Sequence, residues 1–260
     1  MHQRIDDSMV TGAQAARLLR RAKKAIALSG AGVSVPSGIP DFRSKGGLWN
    51  VFQPEEYATL SVFQKDPAKS WHLFRAMAAM LEDKKPNAAH YALAQLEENG
   101  LLAAVVTQNI DGLHQMAGNQ VVFEIHGEHN NLHCLRCGHE EPFLAAHLKS
   151  GGVPLCPVCH YSLKPKVVHF GEEVQGLEMI HNNIQGCDLL LVIGTSAQVY
   201  PAAAIPAMVV QQGGHLLELN HEPALPAFLG TSSHSFIAGD IALTLPKIVQ
   251  ELQKEHGERP

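Results

Sequence analysis

Long hydrophobic runs are missing from this sequence. Its apolar stretches, such as Leu189 to Ile193, have the length of a buried strand and not the roughly 20 residues that cross a bilayer. An uninterrupted apolar stretch is also absent near the N-terminus, where Arg4, Asp6 and Asp7 fall within Met1 to Val10, so no secretory leader is expected and a cytoplasmic location is the default. Basic charge is scarce as well: 20 Lys and Arg face 25 Asp and Glu, for a net charge of −5 with both signs dispersed. That balance argues against a nucleic-acid footprint or a membrane-seeking polybasic segment. Cysteine is sparse, with five in all, and in a reducing compartment they argue for metal ligation rather than a disulfide framework. The aromatic content is only 6 %, and several of the rings gather in one stretch, at Trp49, Phe52, Phe63, Trp71 and Phe74.

What is present is ordinary for a globular enzyme: 260 residues, 45 % apolar and 17 % charged, enough for a full core. From Thr11, a candidate N-cap, to Lys24 the residues Ala15, Ala16, Leu18, Leu19 and Ala22 recur at helical spacing. Ala25 to Leu28 then reads as a buried strand running into Ser29-Gly30-Ala31-Gly32. The pattern of helix, short apolar run and polar or glycine turn recurs at Ala103 to Thr107, Asp188 to Gly194 and His215 to Asn220. Such alternation predicts an α/β fold, a Rossmann-like doubly wound parallel sheet with its ligand beyond the carboxyl ends of the strands. Two stretches break the rhythm. We read 42–85, largely helical, and 127–170, which holds the cysteines, as insertions forming one smaller domain against a sheet domain made of 1–41, 86–126 and 171–260.

Four of the cysteines form two Cys-x-x-Cys pairs, Cys134 with Cys137 and Cys156 with Cys159, separated by 18 residues. This is zinc-ribbon spacing, in which two tight turns offer four thiolates to one ion and leave no position for a catalytic water. A structural Zn2+ is expected there. The segment 127–170 carries four Lys or Arg against three Asp or Glu, so the ribbon has no nucleic-acid character. Cys187, beside an apolar run, reads as a small buried hydrophobe.

The turn Gly30-Ala31-Gly32 begins like a hydride-enzyme fingerprint, but Val35 stands at the third glycine position. Pro36 and Pro40 then disfavour an immediate helix, so the turn opens into a loop carrying Asp41, Phe42 and Arg43. That loop suggests a dinucleotide held as a substrate and not as a hydride carrier. Further on come Gln108-Asn109-Ile110-Asp111, His126-Gly127, the paired cysteines, Lys164-Pro-x-Val-Val-x-Phe170-Gly171-Glu172 and Gly194-Thr195-Ser196. With Gly-Ile-Pro-Asp-Phe-Arg at 38–43, these motifs occur in the order found in sirtuins, and from about Ala22 to Pro246 the chain resembles that family.

The resemblance implies an NAD-dependent protein lysine deacylase that consumes NAD, moves the acyl group to ADP-ribose, and releases nicotinamide and free lysine. It implies acyl-lysine proteins or peptides as partners, with no nucleic acid and no membrane. By the same similarity His126 is the general base and Asn109 the second catalytic residue. The cofactor would be held by Gly30, Ala31, Gly32, Ser34, Ile39, Asp41, Phe42, Arg43, Gln108, Ile110, Asp111, Gly194, Thr195, Ser196, Asn220 and Ile241, together with Asn109 and His126. Asn109 and Asp111 are assigned to the nicotinamide pocket, although both also favour plain turns. An acyl-lysine peptide is expected to add as a strand between 168–171 (Val168, His169, Phe170 and Gly171) and 197–199, ending at Val199. Sirtuins preferring succinyl or malonyl lysine carry Tyr-x-x-Arg where this chain has Phe74 and Met77, so a neutral acyl group is expected. A register slip of one residue would instead bring Arg75 into play.

Overall fold

The computed structural model describes residues 9–43, 46–226 and 233–254; Arg4, Asp6 and Asp7 lie outside them. Two sheets organise the chain. The larger contains β1 (Ala25–Ser29), β2 (Ala104–Thr107), β3 (Val122–Glu124), β7 (Leu189–Ile193), β8 (His215–Asn220) and β9 (His234–Ala238), all parallel, in the order β3-β2-β1-β7-β8-β9. The smaller is antiparallel, in the order β5-β4-β6, from β4 (Gly127–Cys134), β5 (Glu140–Pro142) and β6 (Leu163–Val167).

Among the described residues the helices of seven or more residues are α1 (Gly12–Arg21), α2 (Pro67–Leu81), α3 (Ala88–Glu98), α4 (Leu177–Ile184), α5 (Ile205–Gln211) and α6 (Ile241–Lys254). Thr11 caps α1 as its sequence predicts, and Gln14 completes a capping box by accepting from the Thr11 N–H. Because strand side chains alternate between faces, each central strand feeds two cores. Ala27, Val105, Leu191 and Leu217 pack under α1, α3 and α6. Ile26, Leu28, Val106, Leu190 and Leu216 pack under α4 and α5. Burial on both faces explains why these strands read as continuous apolar runs rather than alternating ones.

Two of the six parallel strands, β3 and β9, escape the sequence reading. β3 is only three residues long, and β9 mixes His234 and Ser235 with Phe236 and Ile237.

A third core joins the two insertions. Phe63, Trp71, Phe74 and Met77 from the helical stretch pack with Leu132, Cys134, Cys156 and Leu163 from the ribbon, and with Ile110 of the larger unit. Trp71 is fully buried and its indole N–H donates to the Leu163 carbonyl at 2.9 Å, tying α2 to β6. Arg75, one turn on, stacks over the Trp71 ring and donates to the carbonyls of Trp71 and Gly152.

Buried histidines weaken the fold in acid, among them His90, His114 and His129. Burial pulls His90 down to about 4 against the charge of Asp111. Burial, aided by His90, pulls His114 down to about 3. Burial also lowers His129 to about 4, opposed by a hydrogen bond with the Phe74 backbone. In the unfolded chain each ring takes a proton near pH 6.5, so their contribution is complete above that pH and is lost as pH falls toward about 4. Each ring costs up to about 1.4 kcal/mol per pH unit in that window. Thermal melts from pH 7.5 to 4.5 should show the midpoint falling steadily below pH 6.5; a flat profile would contradict this account.

Candidate active site

Strand order reverses at β1 and β7, and there the turns at the carboxyl ends of the parallel strands open a cleft. Gly30 N–H donates to the Ile193 carbonyl and Gly32 N–H to that of Gly194, at 3.1 and 2.8 Å, so the two turns lie against each other. A Cβ at Gly32 would sit 2.7 Å from Gly194 Cα, which is why glycine is required there. After the turn the chain makes two short 3-10 turns, Ala31–Val33 and Val35–Ser37, and no α-helix, as Pro36 and Pro40 predict.

The cleft encloses a cavity of about 670 Å³, within the range of small-molecule and cofactor sites. It gathers most of the residues named from the sequence: Gly30, Ala31, Gly32, Asp41, Phe42, Arg43, Gln108, Asn109, Ile110, His126, Gly194, Thr195, Ser196, Asn220 and Ile241. Phe74, Met77, Val168, His169, Phe170, Gly171 and Val199 line it too. Ser34, Ile39 and Asp111 are not on this wall. They line an adjoining recess of about 20 Å³, with Met80 and Leu81 behind.

His126 stands just beyond β3. Its Nδ1 lies 3.1 Å from the Gln108 carbonyl; a carbonyl only accepts, so Nδ1 carries the proton and Nε2 keeps a free lone pair. That Nε2 is buried without a partner. Burial holds the ring below its ordinary pKa, opposed by the Gln108 bond, so it is neutral at physiological pH.

Around Ser34 a compact network orders the recess. Asn109 Nδ2 donates to Ser34 Oγ at 3.0 Å, and Ser34 Oγ donates to Asp111 Oδ2 at 2.7 Å. The other Asp111 oxygen accepts from Leu113 N–H, which also satisfies the turn-forming role of Asp111. Across the cleft Gln108 donates to Thr195 Oγ1 at 2.7 Å and Arg43 to Ser196 Oγ at 2.8 Å. Both hydroxyls accept in these bonds, so their own hydrogens can be donated into the cavity. Above them Phe42 packs on Trp49 at 5.1 Å and Trp49 on Phe170 at 6.4 Å.

The segment Val168 to Gly171 is fastened from several sides. Phe170 pairs through its N–H with the Ala58 carbonyl and through its own carbonyl with Leu60 N–H. His169 N–H donates to Glu172, whose carboxylate also meets the fully buried Lys164 Nζ at 3.2 Å. Burial alone would raise the Glu172 pKa, yet the His169 bonds and the Lys164 charge hold it at about 2. Trp49, Tyr200, His221 and Asp240 also line the cavity, and the sequence motifs do not mark them as site residues. For Asp240 the signal was Gly239 after an apolar pair, lost because β9 went unread.

Away from the cleft, the four cysteine sulfurs lie within 4.8 Å of one another. Zinc–sulfur bonds of about 2.3 Å place tetrahedral ligands a little under 4 Å apart, so the set fits one ion. Two matched turns build it: Gly138 N–H donates to the Cys134 carbonyl, and His160 N–H to that of Cys156. All four ligands are thiols, so the site suits a structural zinc and offers no open position for catalysis. Cys187, as expected, is simply buried.

The Sir2 family model matches residues 30–201. An NAD-dependent protein deacylase of Thermococcus sibiricus is 44 % identical over 214 residues, covering 80 % of this chain and 84 % of that protein. A solved Sir2 homologue in complex with NAD superposes with a TM-score of 0.86 at 35 % identity, over 95 % of this chain and 96 % of that one. Sir2Af2 bound to a myristoylated histone peptide superposes with a TM-score of 0.76 at 33 % identity, over the full length of both chains. From motif order, sheet topology and cysteine cluster to these matches, the observations converge: the chain belongs to the Sir2 family.

Proposed function

We propose that this chain is an NAD-dependent protein lysine deacylase in which His126 is the general base, acting through the ribose hydroxyls of bound NAD. The observation that carries the assignment of the base is the unpaired Nε2 lone pair of a ring whose tautomer is set by the Gln108 carbonyl. When bound, NAD supplies an electrophilic ribose carbon with nicotinamide as its leaving group. The chain's own task is then to hold the acyl amide oxygen against that carbon, keep water away from it until nicotinamide has left, and move one proton; one water is consumed later, when the lysine amine is released from the acyl carbon. A lone-pair acceptor on a neutral ring takes that proton without first losing one of its own. The acyl group ends on ADP-ribose, giving O-acetyl-ADP-ribose from an acetylated substrate.

In this reading the Gly30–Gly32 turn, Thr195 and Ser196 face the phosphates, and Asn220 and Ile241 the adenosine end. Asn109 orders the ribose or a water, and Asp111 and Ile39 form the nicotinamide recess with Phe42 as its wall. The acyl-lysine enters past Phe74 and Met77. Since the N–H groups of Val168, His169 and Phe170 are already engaged, an added peptide strand pairs through the Val168 carbonyl and Gly171, opposite Val199. Segments 42–85 and 127–170 work as one small domain, supported by their shared core. No helix among the described residues is long and apolar enough to cross a membrane, and a four-thiol cluster suits a reducing, cytoplasmic setting.

Acyl preference follows from the pocket wall. Phe74 and Met77 line it, whereas Arg75 is turned to Trp71 and Gly152. A succinyl carboxylate would be buried without a partner, at a cost of several kcal/mol. Turnover of acetyl-lysine peptide should therefore exceed that of the succinyl analogue by about a hundredfold or more; comparable rates would mean a cation reaches the pocket. The overall reading is tested by mass spectrometry of an acetylated peptide with and without NAD. Loss of the acetyl group together with appearance of O-acetyl-ADP-ribose supports it, and mass gained on a protein in place of acyl loss would favour ADP-ribosyl transfer.

A further inference from the structure

The large cavity and the small recess share a wall, and Met77 belongs to it. Ala31, Phe42, Met77, Asn109 and Ile110 line both spaces. At the acyl end the other large side chain cannot yield. Phe74 is 1 % exposed and stands edge-on to Trp71 at 5.5 Å and to His169 at 5.4 Å. Trp71 is pinned in turn by its bond to Leu163. Met77 differs in two ways: its side chain is unbranched and readily changes rotamer, and behind it lies empty space. The recess, at about 20 Å³, holds roughly one water. The unbranched Met80 and the aliphatic Leu81 line it as well.

An acyl chain that extends along the Phe74–Met77 wall meets one side chain that can yield, and it pushes the Met77 thioether toward the recess. A nicotinamide ring needs the opposite displacement, because a space for one water does not admit it. We infer that Met77 is a movable partition that sets acyl size against nicotinamide: longer neutral acyl groups are accepted at the expense of nicotinamide binding, and the enzyme becomes less sensitive to inhibition by that product. This inference rests on the reading of the recess as the nicotinamide site.

The test is the inhibition constant of nicotinamide for NAD-dependent deacylation of one peptide carrying acetyl-, butyryl- or octanoyl-lysine. The constant should rise along that series and be about fivefold or more higher for octanoyl than for acetyl, the lower end of ordinary coupling between sites. Met77→Ala clears both spaces at once and should bring the ratio close to one. Met77→Leu, nearly equal in volume but branched and so slower to yield, should fold as the parent does and show a smaller ratio than the parent, which separates loss of the partition from a folding defect in the alanine variant. Equal inhibition of all three reactions in the unaltered protein overturns the inference, as does an alanine variant that retains the full ratio. Absence of NAD-dependent deacylation on every peptide would instead overturn the deacylase reading, and the partition with it.

Discussion

Replacing His126 with alanine is expected to lower peptide deacylation by about 10²- to 10⁴-fold, the usual range for removal of a positioned general base. His126→Asn separates two explanations. Its amide can still donate to the Gln108 carbonyl, as Nδ1 does across 3.1 Å, but it carries no group that accepts a proton. If the ring serves as base, asparagine is as inactive as alanine; if the ring only props the turn that holds Gln108, asparagine recovers much of the rate. The pH profile gives a second check. Burial lowers the His126 pKa from its ordinary 6.5, so the neutral form persists below pH 6.5 and the acidic limb of kcat/KM should lie under that value. A limb above pH 6.5, or an alanine variant within threefold of the parent, would remove His126 from the role.

The second large effect concerns the cysteine cluster. Cys156→Ser, or a strong chelator, should strip one zinc per chain and loosen the ribbon, because beyond the pairing of β4 with β6 the four thiolates on one ion are what fix the two turns against each other. Structural zinc is worth about 10–16 kcal/mol in isolated ribbon-sized peptides. Losing even a third of that here should lower the melting midpoint by about 10 °C or more. Activity should go with it, although the metal takes no part in the chemistry. Cys134 and Cys156 share a core with Phe74, Met77 and Ile110, so a loosened ribbon removes the support of the acyl wall. Zinc-free protein that melts unchanged and deacylates normally would refute this coupling.

Legibility along the chain tracked how local each signal was. The Thr11 cap and strands β1, β2, β7 and β8 could be read because their instructions are short-range: a side chain reaching its own helix, or an apolar run ended by glycine. The cysteine pairs were equally plain, since metal geometry restricts their spacing. β3 and β9 carry no comparable pattern. They become strands by adding to an edge already formed, and with β9 went the site residue Asp240. Asp111 and Ser34 were named as cofactor contacts, and their mutual bond behind the cavity wall had no trace in the order of residues.

By itself the sequence determined the fold class, the four-cysteine cluster and the family to which its ordered motifs point. Each of these depends on residue type at a fixed separation along the chain. Tertiary structure alone decided that His126 bonds the Gln108 carbonyl and so leaves a free lone pair on its buried Nε2, that Arg75 turns away toward Gly152, and that Met77 stands between two spaces. Those outcomes depend on which groups meet across many residues of separation, and on the cost of leaving a buried polar group without a partner, neither of which is written in any local stretch.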